Sequence, residues 1–261
     1  MKVKQRLREL GVKPVGGQHF LESDAVAEAL VEAVEPEGQK IVEVGSGTGF
    51  ITEKLLDRAE EVVAVEKDQK LAEHLQELFG DDIEVLHEDF LQTEIECDRY
   101  TGNIPFEISS DIIEKIGREQ VQSALIVQKQ LAEKAVADPG DSMYGFFTLK
   151  LNYYFIPVKL REVNSSNFYP EPDVDAAILK LYPNKERHGV EDEEKFIKVS
   201  KALFTHKRKK LRNAFVDARH ILDFEKEEAK EVRDDLPNSE KRVINLSIKE
   251  LSEISNKIAE I

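Results

Sequence analysis

Two short stretches of the chain carry residue types and spacings suited to chemistry on a nucleoside. In the first, Ile41-Val42-Glu43-Val44 runs directly into Gly45-Ser46-Gly47-Thr48-Gly49. Glycines at a strand-to-helix turn let the backbone approach a ligand closely at the carboxyl edge of a sheet. A dinucleotide fingerprint would place its third glycine where Phe50 stands, so the pattern suits a ligand without a pyrophosphate. Glu66 closes the next apolar run, where a carboxylate can accept both hydroxyls of a ribose. Asp89 follows the third run, where one can accept an adenine amine. Taken singly, either acid is equally an ordinary helix N-terminal residue. With the glycine turn, the pair favours an adenosyl ligand.

The second stretch is Gly102-Asn103-Ile104-Pro105-Phe106, at the end of a fourth apolar run. The reaction that fits is methylation of an exocyclic amine on a planar base. Such an amine is a poor nucleophile, because its lone pair is delocalised into the ring. Hydrogen bonds from its N–H groups to the Asn103 side-chain oxygen and the Ile104 carbonyl favour the pyramidal, reactive form. Pro105 fixes the turn so that this carbonyl faces the site, and Phe106 stacks on the base. The competing reading is a strand-ending turn with Phe106 in the core.

These residues need a scaffold, and the apolar patterning supplies one. Between about Gln39 and Tyr182, β-type runs (Lys40–Gly45, Val62–Glu66, Ile83–His87, Tyr100–Ile104, Ala124–Val127, Leu149–Val158 and Val174–Leu181) alternate at first with helical stretches such as Phe50–Ala59 and Gln69–Phe79. Strand–helix alternation implies an α/β fold, a parallel sheet covered on both faces. Only a short Asn-, Ser- and Pro-containing segment separates the last two runs, which suits an antiparallel hairpin at the sheet edge. Beyond Pro183 a polar stretch, Asn184 to Glu194, reads as a linker. Helical spacings follow (Phe196, Val199, Leu203; Leu211, Phe215), with a closing helix from Leu246 to Ile258 capped by Ser247 and Glu250. The expected organisation is a domain over residues 1–183, with a basic extension over 1–14, and a small all-helical domain over 184–261.

The 261 residues carry a net charge of −15, and no apolar stretch approaches the roughly 18 residues of a membrane span. Met1 to Pro14 is basic but lacks the apolar core of a secretory signal. With Cys97 as the single cysteine there is no internal disulfide and no cysteine-based zinc cluster. A reduced, cytoplasmic protein that needs no metal is expected. Overall acidity argues against a polyanionic partner, yet Lys195 to Val216 holds eight basic residues and no acid, and the first fourteen residues hold five. Each cluster is either a solvated helix face or a local polyanion site.

The sequence resembles the KsgA-type ribosomal RNA adenine dimethyltransferases, in their archaeal and eukaryotic branch, relatives of the Erm methyltransferases. Five segments in the family's order carry the resemblance: Gly17-Gln18-His19-Phe20-Leu21, Glu43 to Gly49, Asn103 to Phe106, Phe168 to Asp175, and Phe204 to Asn213 with its basic Lys207-Arg208-Lys209-Lys210 and Arg212. It implies a Rossmann-like class I methyltransferase fold with a seven-stranded, mostly parallel sheet. It also implies S-adenosylmethionine as methyl donor, with donor contacts at Gln18, His19, Leu21, Gly45, Gly47, Glu66, Asp89 and Asn103. Asn103, Ile104, Pro105 and Phe106 would hold the target amine, with Phe168 stacking on the base from the other side or serving as a core residue. Lys207 to Arg212 would contact RNA phosphates. The implied reaction is dimethylation of two adjacent adenosines near the 3′ end of small-subunit ribosomal RNA, on an immature small subunit, by a monomer. Two other readings remain beside it: an Erm-type enzyme acting on large-subunit RNA, and an assembly factor whose catalysis is dispensable. Three positions depart from the family pattern: His19 replaces an asparagine, Glu107 an asparagine or glutamine, and Asp173 a lysine.

Overall fold

A computed structural model describes residues 3–261; Lys2 of the basic N-terminal segment lies outside the described residues. Among the described residues nine strands form in chain order: β1 (Phe20–Leu21), β2 (Lys40–Val44), β3 (Glu61–Glu66), β4 (Glu84–His87), β5 (Arg99–Asn103), β6 (Gln122–Gln128), β7 (Phe155–Val163), β8 (Phe168–Tyr169) and β9 (Ala176–Pro183). The helices around the first six strands are α1 (Val3–Glu9), α2 (Asp24–Val34), α3 (Thr52–Leu56), α4 (Gln69–Phe79) and α5 (Ser109–Glu119). They are followed by α6 (Lys129–Ala135), α7 (Phe146–Tyr154), α8 (Glu193–Phe204), α9 (Leu211–Ala218), α10 (Lys226–Val232) and α11 (Ile248–Ala259).

Seven strands make one sheet in the order β4-β3-β2-β5-β6-β9-β7. Strands β2 to β6 pair in parallel, and β9 runs antiparallel to β6. Their interiors, such as Ile41–Val42, Val62–Val65 and Ala124–Val127, are almost wholly buried, as strands covered on both faces must be. Because β2 lies between β3 and β5, the strand order reverses there. A crevice therefore opens beyond the carboxyl ends of β2 and β5, where open α/β sheets bind ligands. The two strands approach closely at this point: a Cβ on Gly102, whose φ is +145°, would lie 2.4 Å from the Val44 carbonyl oxygen.

The chain divides into two compact units, one formed by residues up to 132 with 156–183, the other by 133–155 with 184–261. The run from Leu149 to Val158, expected as a strand, is half helix: α7 occupies it to Tyr154 and β7 starts at Phe155. Leu149, Leu151, Tyr153 and Tyr154 are all buried, and burial nearly all round the helix hides its period of 3.6 in the sequence. The β7–β9 pair sits at the sheet edge as expected, although β8 between them leaves the sheet to pair antiparallel with β1. The stretch expected as a linker is anchored at both ends. Buried Asn184 donates from Nδ2 to the Asn152 carbonyl at 3.0 Å, and Glu193 accepts from the Tyr154 hydroxyl at 2.5 Å. The closing helix α11 carries the expected cap, with the Ser247 hydroxyl accepting from the Glu250 N–H.

Candidate active site

The crevice beyond β2 and β5 is open to solvent, and the space in it and at its mouth amounts to about 840 Å³. Gln18, His19, Gly45, Gly47, Glu66, Asp89, Asn103, Ile104, Pro105 and Phe106 all line it. Two residues expected at the site stand behind it. Leu21 and Phe168 are paired across β1 and β8, each 3% exposed, and both belong to the core of the first unit. The Phe168 ring meets Phe106 edge-on at 6.5 Å.

On the donor side, Gly45, Gly47 and Gly49 all have positive φ, which turns the backbone of the loop around its ligand-facing side. Glu66 is 6% exposed, and its two oxygens accept from the Gly47 N–H at 2.8 Å and the Asp68 N–H at 2.9 Å. Burial raises its pKa, and the backbone donors oppose that shift. The carboxylate keeps acceptor capacity beyond these donors, so it can still accept from a ligand hydroxyl. Asp89 is held by Lys67 Nζ at 2.6 Å and caps the Leu91 N–H; the ammonium keeps its carboxyl below the usual range. Lys67 lines the cleft too. It is not among the residues expected from the sequence, although it directly follows Glu66; its pairing with Asp89, 22 residues on, has no local signal.

On the acceptor side, Asn103 Nδ2 donates to the His19 carbonyl at 2.5 Å. A carbonyl can only accept, so this contact fixes which end of the amide is oxygen. Oδ1 is left buried with no partner. An orphaned acceptor of this kind costs roughly 1–3 kcal/mol until something donates to it. His19 is fixed in turn, with Nδ1 2.7 Å from the Pro170 carbonyl and its ring 5.6 Å from Phe106. The turn after Asn103 is locked by the Ser109 hydroxyl, which donates to the Pro105 carbonyl at 2.9 Å. Among the described residues no cluster of His, Cys, Asp or Glu is placed to hold a metal ion.

The family model for ribosomal RNA adenine dimethylases matches residues 12–260. The chain belongs to this family. A protein of Methanopyrus kandleri named "Probable ribosomal RNA small subunit methyltransferase A" is 35% identical over 228 residues, covering 85% of this chain and 82% of the relative. The Borreliella afzelii ribosomal RNA small subunit methyltransferase A is 32% identical over 270 residues, covering 97% and 92%. A dimethyladenosine transferase from Plasmodium falciparum superposes with a TM-score of 0.83 at 27% identity, covering 92% of this chain and 98% of that one. The 23S rRNA methyltransferase ErmE shares the fold at a TM-score of 0.65 and 22% identity, covering 92% and 99%. As a member of the family this chain is a methyltransferase of the S-adenosylmethionine-dependent class, with the Rossmann-like fold expected for it.

The family's basic segment lies in the second unit and is less free than its sequence suggests. Lys207 Nζ donates to the carbonyls of Ser142 and Tyr144 at 3.0 and 2.9 Å, a structural use. Lys209 pairs with Asp217 and Lys210 with Glu240, both at 2.6 Å, and Arg212 pairs with Glu240 and reaches Asp234 at 3.9 Å. Arg208 is exposed. The acids that face these cations come from up to 30 residues away in sequence, which is why a linear charge count misses them.

Proposed function

We propose that this enzyme transfers methyl groups from S-adenosylmethionine to the exocyclic amines of two adjacent adenosines near the 3′ end of small-subunit ribosomal RNA. It acts as a cytoplasmic monomer on an immature small subunit. The observation that carries the reading is the Asn103 amide, with its nitrogen tied to His19 and its oxygen buried and unpaired beside Phe106. An acceptor preorganised in this way suits an incoming N–H donor, and reorganisation on binding is small. The glycine turn, Glu66 and Asp89 fit an adenosyl group, and no pyrophosphate-binding third glycine follows them.

When bound, the donor supplies a methyl group made electrophilic by its sulfonium. The protein's part is positioning. Asn103 Oδ1 and the Ile104 carbonyl accept from the two N–H bonds of the target amine and aim its lone pair, while Phe106 takes the base face with Phe168 braced behind it. The base must leave its stack to arrive there, at a cost of a few kcal/mol. Phosphate contacts by Arg208 and its neighbours, in the proposed RNA-binding domain over residues 184–261, offset this cost. A second methyl transfer needs only rotation about the C–N bond, since one N–H remains to hold the amine. Glu107, whose side chain lies beside Gly17, adds a negative charge directly after the Asn103–Phe106 segment.

The relatives' names support the small-subunit substrate over an Erm-type one. The test is Asn103→Ala with purified protein, labelled donor and, in parallel, under-methylated small subunits and large subunits, the modified adenines being mapped by primer extension. Methyl transfer should fall at least 100-fold while donor binding by calorimetry stays within about threefold. Undiminished turnover would remove Asn103 from the reaction, and modification of large-subunit RNA alone would replace the substrate.

A further inference from the structure

The donor turn is held from behind by the N-terminal helix. Thr48, the fourth residue of the Gly45–Gly49 turn, is 2% exposed, and its carbonyl accepts from Arg6 Nη1 at 2.6 Å across 42 residues of sequence. The guanidinium is itself partly buried, with Nε enclosed and unpartnered. Helix α1 is seated by Val3 and Leu7, both buried in a cluster with Leu71 of α4, against which Phe20 and Phe50 pack. Both rings adjoin the turn. Phe50 follows it directly in sequence, and Phe20 lies so close to Gly47 that a Cβ there would come within 3.1 Å of the ring. The next loop is tied down as well, with Lys70 Nζ donating to the Gly11 carbonyl at 3.1 Å. His74 of α4 completes this polar pocket; burial, with the Arg6 charge second, lowers its pKa.

We infer that Arg6 is a positioning residue for the methyl donor: by holding the Thr48 carbonyl away from the cleft it keeps the turn's N–H groups presented to the ligand. A glycine-rich turn has few side chains of its own with which to resist collapse, and its conformational freedom is the entropy that binding must otherwise remove. A charge-assisted hydrogen bond from a residue outside the turn removes part of that cost in advance. The inference rests on the donor site proposed above.

The test uses S-adenosylhomocysteine as probe with the full chain, comparing the parent with Arg6→Ala and Arg6→Lys. The readouts are calorimetric affinity at 20 °C, thermal midpoint without ligand, and steady-state kinetics. Arg6→Ala should weaken probe binding about tenfold or more and raise the donor KM to match, while kcat at saturating donor and the KM for RNA stay within twofold. Arg6→Lys, which can still offer one N–H to Thr48, should recover most of the affinity. Arg6→Ala binding the probe as the parent does, even with a lowered midpoint, would overturn the inference and leave Arg6 a packing residue. So would an affinity loss in Arg6→Ala that Arg6→Lys does not reduce. Failure of the parent itself to bind the probe would instead overturn the donor site and the inference with it.

Discussion

Glu43 shows how one buried side chain links the donor turn to pH. It is 1% exposed, accepts from the Thr52 hydroxyl at 2.5 Å through Oε2, and leaves Oε1 with no partner. Desolvation pushes its pKa up to about 8; the hydrogen bonds from Thr52 and Ser46 pull it down, and the nearby Glu66 charge adds to the rise. Between the ordinary carboxylate value of 4.5 and about 8, the folded chain holds a proton that the unfolded chain releases. Bound protons in excess on the folded side mean that stability falls as pH rises through this window and levels off above it. Glu43→Gln keeps an acceptor for Thr52 and removes the ionisation. It should match the parent near pH 5 and exceed it at pH 8.5 by on the order of 1–3 kcal/mol. Urea midpoints at the two pH values check this, and parallel pH profiles for parent and variant would show that Glu43 does not titrate as stated. Glu66, also raised, keeps some slope in the variant.

At the scale of elements, the cleft exists because β2 and β5 come together at the point where strand order reverses, and Gly102 permits it. A methyl group there would collide with backbone, which cannot yield as a side-chain tip can, at a φ of +145° that L-residues avoid. Gly102→Ala should therefore destabilise the fold by about 3 kcal/mol or more and displace Asn103, the next residue. Chemical denaturation measures the first effect; loss of methyl transfer in whatever fraction remains folded measures the second. A variant of parental stability would mean that the strands can part freely. The sequence made this motif visible, because Gly102-Asn103-Ile104-Pro105-Phe106 and the glycine turn are local signals at the ends of alternating apolar runs. It hid what depends on tertiary partners. Leu149 to Tyr154 reads as strand because neighbours cover the helix on every side. Phe168 reads equally as a stacking ring or a core residue, because its pairing with Leu21 across 147 residues leaves no local trace. Arg6 reads as one more cation of a basic segment, although its guanidinium donates to the Thr48 carbonyl of the Gly45–Gly49 turn.

The whole molecule carries a charge of −15 and yet belongs to a family that acts on RNA. The pairing within the second unit reconciles the two. Lys210 and Arg212 share Glu240, which is more than half exposed, and Lys209 pairs with Asp217. Exposed pairs of this kind hold their partners weakly, so a phosphate can displace the carboxylate without a large loss. On the proposed phosphate-binding role of this segment, the acids compete with RNA for these cations, and the role predicts an RNA affinity set by how completely they are displaced. Removing one acid should weaken that competition without changing the number of phosphates engaged. Glu240→Gln should bind a hairpin from the 3′ end of small-subunit RNA roughly three- to tenfold more tightly at low salt, with an unchanged slope of log affinity against log salt. Lys210→Ala should do the reverse, weakening binding and shallowing the slope by about 0.7–0.9, the share of a single neutralised phosphate. Lys207→Ala, which deletes donors to two carbonyls of its own unit, should lower stability and leave the slope alone. Filter binding across a salt series distinguishes these outcomes. Equal affinities for Glu240→Gln, Lys210→Ala and the parent at every salt concentration would mean that this segment meets no phosphate, and that its charges serve only one another.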